Sequence, residues 1–189
     1  MQETNMNDID NVRTDIDRYK NIKISRLNPE DWLSLKAQLI SLEKRCFHPD
    51  IQETERSKRK LLTLEDTIAF VAEKNGKVLG ESYGLPIQKY KGIPDSDRIT
   101  KDYASRGIKA FYHVSLAVLP EYREHGIGSA LIGALFAEAK RQGYDVILAH
   151  AKEGASLELH NRRGAKVIKS FDNWFGTGNK YWLCEVYIH

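Results

Sequence analysis

At 189 residues the chain is long enough to fold as one domain with a sizeable core. Hydrophobic residues make up 41% of it and charged residues 29%, the balance of an ordinary globular protein of the cytosol. The formal net charge of +3 suits an anionic ligand but falls short of the concentrated positive field that marks a nucleic-acid binder.

Residues 1–20 are polar, carry little to bury and lack the apolar run of a signal peptide. They are expected to be a tail or a loosely docked helix ahead of one domain over 21–189, in the cytoplasm. Ile22, Ile24 and Leu27 alternate with polar residues as a half-buried strand does. Asn28-Pro29-Glu30-Asp31 then starts a helix with Trp32, Leu35, Leu39, Leu42 and Cys46 at helical spacing. A second, highly charged helix is predicted from Thr54 to Leu64. Its Arg56-Ser57-Lys58-Arg59-Lys60 run reads as a solvated face, since no aromatic interleaving supports nucleic acid. Thr67–Glu73 and Lys77–Ile87 form a hairpin turning at Asn75-Gly76. Residues 88–109 are polar without a clear period and are expected to be a functional loop.

Phe111–Leu119 reads as a central strand. The helix from Gly126 to Gln142 follows, with Ile127, Leu131, Ala134, Leu135 and Ala139 on one face and Gly143 as its cap. Val146–Ala151 is a further strand and Ala155–Arg163 a short helix. Strands over Ala165–Phe171 and Tyr181–Ile188 close the chain around Gly176-Thr177-Gly178-Asn179. The order is that of a mixed α/β domain. No stretch approaches the roughly 18 apolar residues of a membrane span. Cys46 and Cys184 are too few for a disulfide framework and read as core residues, and no two histidines stand at the i, i+4 spacing of a helical metal pair, so no metal is expected.

The chemistry is concentrated where the central strand, ending Leu116-Ala117-Val118, meets Pro120 and then Arg123-Glu124-His125-Gly126-Ile127-Gly128-Ser129. Glycines at a helix start let a ligand approach the backbone. The first-turn amides have no partner inside the helix, and its dipole favours an anion there. Arg123 adds a permanent cation. The Walker pattern is absent, and the dinucleotide fingerprint fails because Leu131 stands where its third glycine belongs.

Arg-x-x-Gly-x-Gly after an apolar strand resembles the acetyl-CoA signature of the GNAT superfamily of N-acetyltransferases, and the order of elements extends the resemblance from about Ile22 to Ile188. It implies a mostly antiparallel sheet of about seven strands flanked by helices, with acetyl-CoA as co-substrate and direct transfer of its acetyl group to an amine. Leu116, Ala117 and Val118 would line the pantetheine chain, Val118 would face the thioester carbonyl, and Arg123 through Ser129 would hold the pyrophosphate. Many relatives place an acidic tyrosine four residues before a Gly-Phe pair; here His160 takes that place and Ala165 replaces the aromatic. An imidazole can donate to sulfur, which makes His160 the candidate acid. The other reading is a surface histidine favoured by the dipole at a helix end.

For the base the resemblance points to Tyr112, six residues before Val118. The residues themselves offer Glu81, a carboxylate in an apolar strand. His113, of opposite strand parity to Tyr112, is expected to face away from the groove. The loop at Cys46-Phe47-His48-Pro49, residues 88–109 and the turn Phe171-Asp172-Asn173-Trp174-Phe175-Gly176 would line the acceptor side. The acceptor would be a protein N-terminus or lysine, or a small-molecule amine, with the enzyme a monomer or homodimer. The alternative is a catalytically silent CoA-binding sensor or scaffold, which the missing tyrosine favours.

Overall fold

The computed structural model describes residues 21–188. The expected tail over 1–20 lies outside the described residues. One seven-stranded sheet runs in the order β1-β2-β3-β4-β5-β7-β6. Its strands are β1 (Lys23–Arg26), β2 (Ile68–Lys74), β3 (Lys77–Pro86), β4 (Ala110–Val118), β5 (Val146–Lys152), β6 (Lys166–Phe171) and β7 (Tyr181–Tyr187). Every neighbouring pair is antiparallel except β4 and β5. The helices are α1 (Trp32–Cys46), α2 (Glu55–Leu62), α3 (Ser96–Ser105), α4 (Ile127–Arg141) and α5 (Ala155–Asn161). None among the described residues is long and apolar enough to cross a membrane.

Local chemistry explains the punctuation. Asn75 and Gly76 both have positive φ (50° and 74°), as a two-residue hairpin turn requires. Before α1 the Asn28 amide donates to the Asp31 carboxylate at 2.8 Å, and the Thr54 hydroxyl accepts from the Ser57 amide at 3.1 Å to start α2. The α4 stripe of Ile127, Leu131, Leu135 and Ala139, widened by Ile132 and Phe136, is buried over β2, β3 and β4. Each of these large side chains contributes roughly 1.5–3 kcal/mol by leaving water.

Two expectations change. The stretch 88–109 contains α3, a ten-residue helix whose Ile99 and Tyr103 turn inward while its charges stay in water. Two inward residues on so charged a helix give little apolar period to read. The basic run of α2 is not uniformly solvated either. Lys58 is fully buried, donating to Glu43 at 2.6 Å and closely to Glu81. Burial disfavours the ammonium, but the two carboxylates outweigh it and hold its pKa above the ordinary value.

Strand β4 carries a bulge that decides the geometry of the site. Tyr83 pairs with Ser115 but Gly84 pairs with His113, so Val114 is an extra residue in the ladder. Beyond it the alternation is shifted. His113 therefore shares a face with Leu116 and Val118, the face of α4 and α5, while Tyr112 lies on the opposite face with Leu148 and Trp174. Glu81 and Tyr83 belong to that opposite face, where α1 and α2 pack.

Candidate active site

The parallel pairing of β4 with β5 runs only from Ala110↔Val146 to His113↔Ala149. Past that point β4 continues to Val118 with β3 on one side and no ladder on the other. The Leu119 amide donates to the Leu79 carbonyl at 2.9 Å. By two-residue alternation Ala117 also bonds toward β3, and Leu116 and Val118 turn their backbone groups to the open side. The Val118 carbonyl there accepts from Arg123 Nε at 3.0 Å and from the Cys46 thiol at 3.3 Å. The open edge thus offers Leu116 and Val118. Ala117, expected beside them, is committed to the ladder with its side chain buried. Cys46, read as core, is half-buried at the rim of this opening.

Helix α4 opens at the end of that edge. Gly126, its N-cap, sits at φ 79°, ψ −6°, a left-handed conformation that only glycine adopts without steric cost. The first intrahelical backbone bond is Ala130 to Gly126 at 2.9 Å, so the amides of Ile127, Gly128 and Ser129 have no carbonyl within the helix. A Cβ on Gly128 would stand 3.4 Å from Leu159 Cδ1, 3.8 Å from Val118 Cγ2 and 4.0 Å from Leu116 Cδ2. Its absence leaves a narrow floor between strand and helix. Arg123 and Glu124 are exposed before this turn, Glu124 also at positive φ, and His125 Nδ1 contacts the Arg123 carbonyl. From the other wall Arg163 reaches the Ser129 carbonyl at 2.7 Å and its hydroxyl at 3.2 Å, placing a second cation at the helix start. A cradle of free amides, two guanidiniums and no side-chain bulk fits a diphosphate.

The proposed proton-transfer residues part company. Glu81 is 1% exposed, and Lys58 engages one of its carboxylate oxygens. Burial raises its pKa despite that ammonium. Its place is a core ion network beneath α1 and α2 rather than an open base, which corrects the expectation. His160 is 2% exposed and no surface histidine. Its Nδ1 lies 2.8 Å from the Ser156 carbonyl and its Nε2 3.2 Å from His113 Nδ1. His113 does face away from Tyr112, as parity suggested, but the bulge brings it to the floor that Leu116 and Leu159 share.

Tyr112 is buried, which pushes its hydroxyl well above the usual range and removes it as a base on its own. That hydroxyl is 2.8 Å from His150 Nδ1. His150, unsingled in the sequence, stacks on Trp174 with centroids 4.3 Å apart, and its Nε2 is buried without a hydrogen-bond partner among the described residues. Burial, then the nearby Lys169, depresses its pKa to about 3, so the ring is neutral at physiological pH. The Ser115 hydroxyl and Tyr83 hydroxyl, on the same face, are also buried without a hydrogen-bond partner among the described residues. Trp174 is buried in the β6–β7 turn, and Phe175 beside it is 51% exposed at φ 46°. The turn at 49–51 packs against this one. Of the three segments expected on the acceptor side, 171–176 therefore meets the turn that the 46–49 loop enters at Pro49, and 88–109 joins them through Tyr90, stacked on Tyr112 with centroids 5.0 Å apart.

Residues 36–165 match the acetyltransferase (GNAT) family model. Solved structures resemble the fold. The ribosomal-protein-S18-alanine N-acetyltransferase of Escherichia coli gives a TM-score of 0.65 at 17% identity, over 88% of this chain and 94% of that one. A putative acetyltransferase of Salmonella typhimurium, solved with its cofactor acetyl-CoA, gives 0.66 at 19%, over 90% and 95%. A GNAT-like decarboxylase in complex with isobutyryl-CoA gives 0.67 at 17%, over 88% and 100%.

Proposed function

The chain belongs to the acetyltransferase (GNAT) family, and from that premise we propose that it transfers the acetyl group of acetyl-CoA directly to a primary amine. The observation that carries this reading is the continuity of the bared β4 edge with the glycine-opened start of α4. Acetyl-CoA is the co-substrate, supplying an acyl group activated as a thioester. The amides of Ile127, Gly128 and Ser129 with Arg123 and Arg163 hold its diphosphate, and the Leu116 and Val118 backbone receives the pantetheine. The Val118 amide is the donor for the thioester carbonyl as negative charge develops on it.

On the opposite face neutral His150, its ring fixed by Tyr112, accepts a hydrogen bond from the attacking amine and orients it as its proton is lost. This role requires the tautomer in which Nδ1 donates to the Tyr112 oxygen, leaving the lone pair on Nε2. That nitrogen is buried beside Trp174 without a hydrogen-bond partner among the described residues and must be uncovered by the entering acceptor. The acceptor enters between the turns at 46–51 and 171–176, as a peptide amine or a small-molecule amine.

Calorimetry with acetyl-CoA, followed by mass spectrometry of an amine and peptide panel for a gained acetyl group, tests the reading. The absence of coenzyme binding at saturating levels would overturn it. Gly126→Asp introduces a Cβ at positive φ, worth roughly 1–2 kcal/mol of strain, and a like charge beside the diphosphate. It should raise the Kd for acetyl-CoA about ten-fold or more, whereas an unchanged Kd would remove the cradle. One observation favours a second reading, a CoA-binding sensor or scaffold without turnover: His160, where relatives carry a tyrosine, has its Nδ1 against a carbonyl. Coenzyme binding without release of free thiol across the whole panel would select it.

A further inference from the structure

The last paired residues of β4 reach across to the β5 side on both faces of the sheet. Tyr112 meets His150 on one face, and His113 meets His160 of α5 on the other. Beyond these contacts the two strands diverge. The histidine pair is enclosed: both rings are buried, with Phe136 of α4 against each at 6.2 and 6.3 Å.

Acceptor chemistry sets the direction of the hydrogen bonds. The Ser156 carbonyl can only accept, so at 2.8 Å it takes the Nδ1 proton of His160. A neutral ring then has a bare Nε2, which accepts from His113 Nδ1. That leaves His113 Nε2 bare in turn. Two oxygens lie 2.9 Å from it, and of these the Ser82 hydroxyl can donate where the Ser115 carbonyl cannot. Either order leaves one bare nitrogen beside a carbonyl. His113 Nε2, however, has the Ser82 hydroxyl to donate to it, whereas a bare Nδ1 of His160 would face the Ser156 carbonyl with no donor for it among the described residues. Protons therefore run from Ser82 through His113 and His160 to Ser156, joining β3, β4 and α5 in one line. In that order His160 has no ring proton free for a sulfur atom.

We propose that His113 and His160 are positioning residues, a clasp that fixes the width of the opening between β4 and β5. That the opening receives pantetheine rests on the acetyl-CoA reading. The ring order does not, and it can be tested without coenzyme. Imidazole nitrogen NMR on the intact protein should find both rings protonated at Nδ1 and bare at Nε2; a proton on His160 Nε2 would overturn the clasp. His113→Leu and His160→Leu each strand a buried nitrogen of the partner, and should raise the Kd for acetyl-CoA about ten-fold and speed amide exchange over 149–152. His160→Gln, which can still accept from His113, should recover most of that affinity and leave the shape of the pH–rate profile unmoved. If His160→Gln instead keeps the wild-type Kd and loses turnover with a shifted basic limb, His160 is the acid and the proposal fails. If the wild type binds no acetyl-CoA, the functional reading falls while the NMR result still judges the clasp.

Discussion

Replacing His150 with Phe should lower kcat by a factor of about 10² to 10⁴, the usual range for losing a side chain positioned for proton transfer, while leaving acetyl-CoA affinity within about two-fold. Phenylalanine keeps the stack on Trp174, whose centroid lies 4.3 Å away, so the substitution removes nitrogen rather than packing. The proposed coenzyme cradle is on the other side of the sheet and should not register the change. Because burial holds the imidazole at about 3, its neutral form persists far below pH 6.5. The ring should therefore contribute no limb to the pH–rate profile near that value. Tyr112→Phe should give a smaller loss, since it frees the ring's orientation but leaves both nitrogens. Stopped-flow or steady-state turnover on the best acceptor decides the matter. Wild-type kcat in His150→Phe would exclude that role.

The largest stability effect should come from Lys58→Met. It leaves Glu43 and Glu81 facing each other's charge at 3% and 1% exposure, with no cation between them. Removing one member of a buried ionic set costs about 3–5 kcal/mol, because the remaining charge has lost both water and partner. Urea denaturation would measure it, and a change under about 1 kcal/mol would contradict the network's role. The sign of its pH dependence follows from the carboxylates. Without the ammonium the folded pKa of Glu81, already raised by burial, rises further above the unfolded value of about 4.3. The mutant's penalty is then smallest below that pH and grows as pH rises through the folded value. Replacing Lys58, Glu43 and Glu81 together by apolar residues of similar volume should recover much of the loss.

What was legible in the chain was what is local. The Asn75-Gly76 hairpin, the α4 stripe and the Arg123-x-x-Gly126-x-Gly128 signal are written in adjacent residues, whereas the place of β7 between β5 and β6 is set by pairing between distant strands. Residues whose meaning lies in distant partners were misread. Lys58 finds Glu43 and Glu81 fifteen and twenty-three positions away, so its charge run passed for a solvent face. His150 acquires significance only through Tyr112, thirty-eight residues earlier, and Trp174. Glu81 looked exceptional in an apolar strand, and it is, but as the partner of an inward lysine. Arg163 left no signal at all, because only the return of the chain beside Ser129 brings it to the helix start.

The extra residue at Val114 has an architectural effect larger than its size. A regular strand segregates odd and even side chains to separate compartments, and a molecule lying on one would never meet the other. By slipping the count once, β4 lends Leu116 and Val118 to the compartment of His113 and sends Tyr112 to the compartment of His150. On the proposed reading, a guest lying over the glycine floor would reach, through the fork, side chains of a different chemistry. The sheet behaves here as a partition with a doorway, and one surplus amino acid is its hinge post.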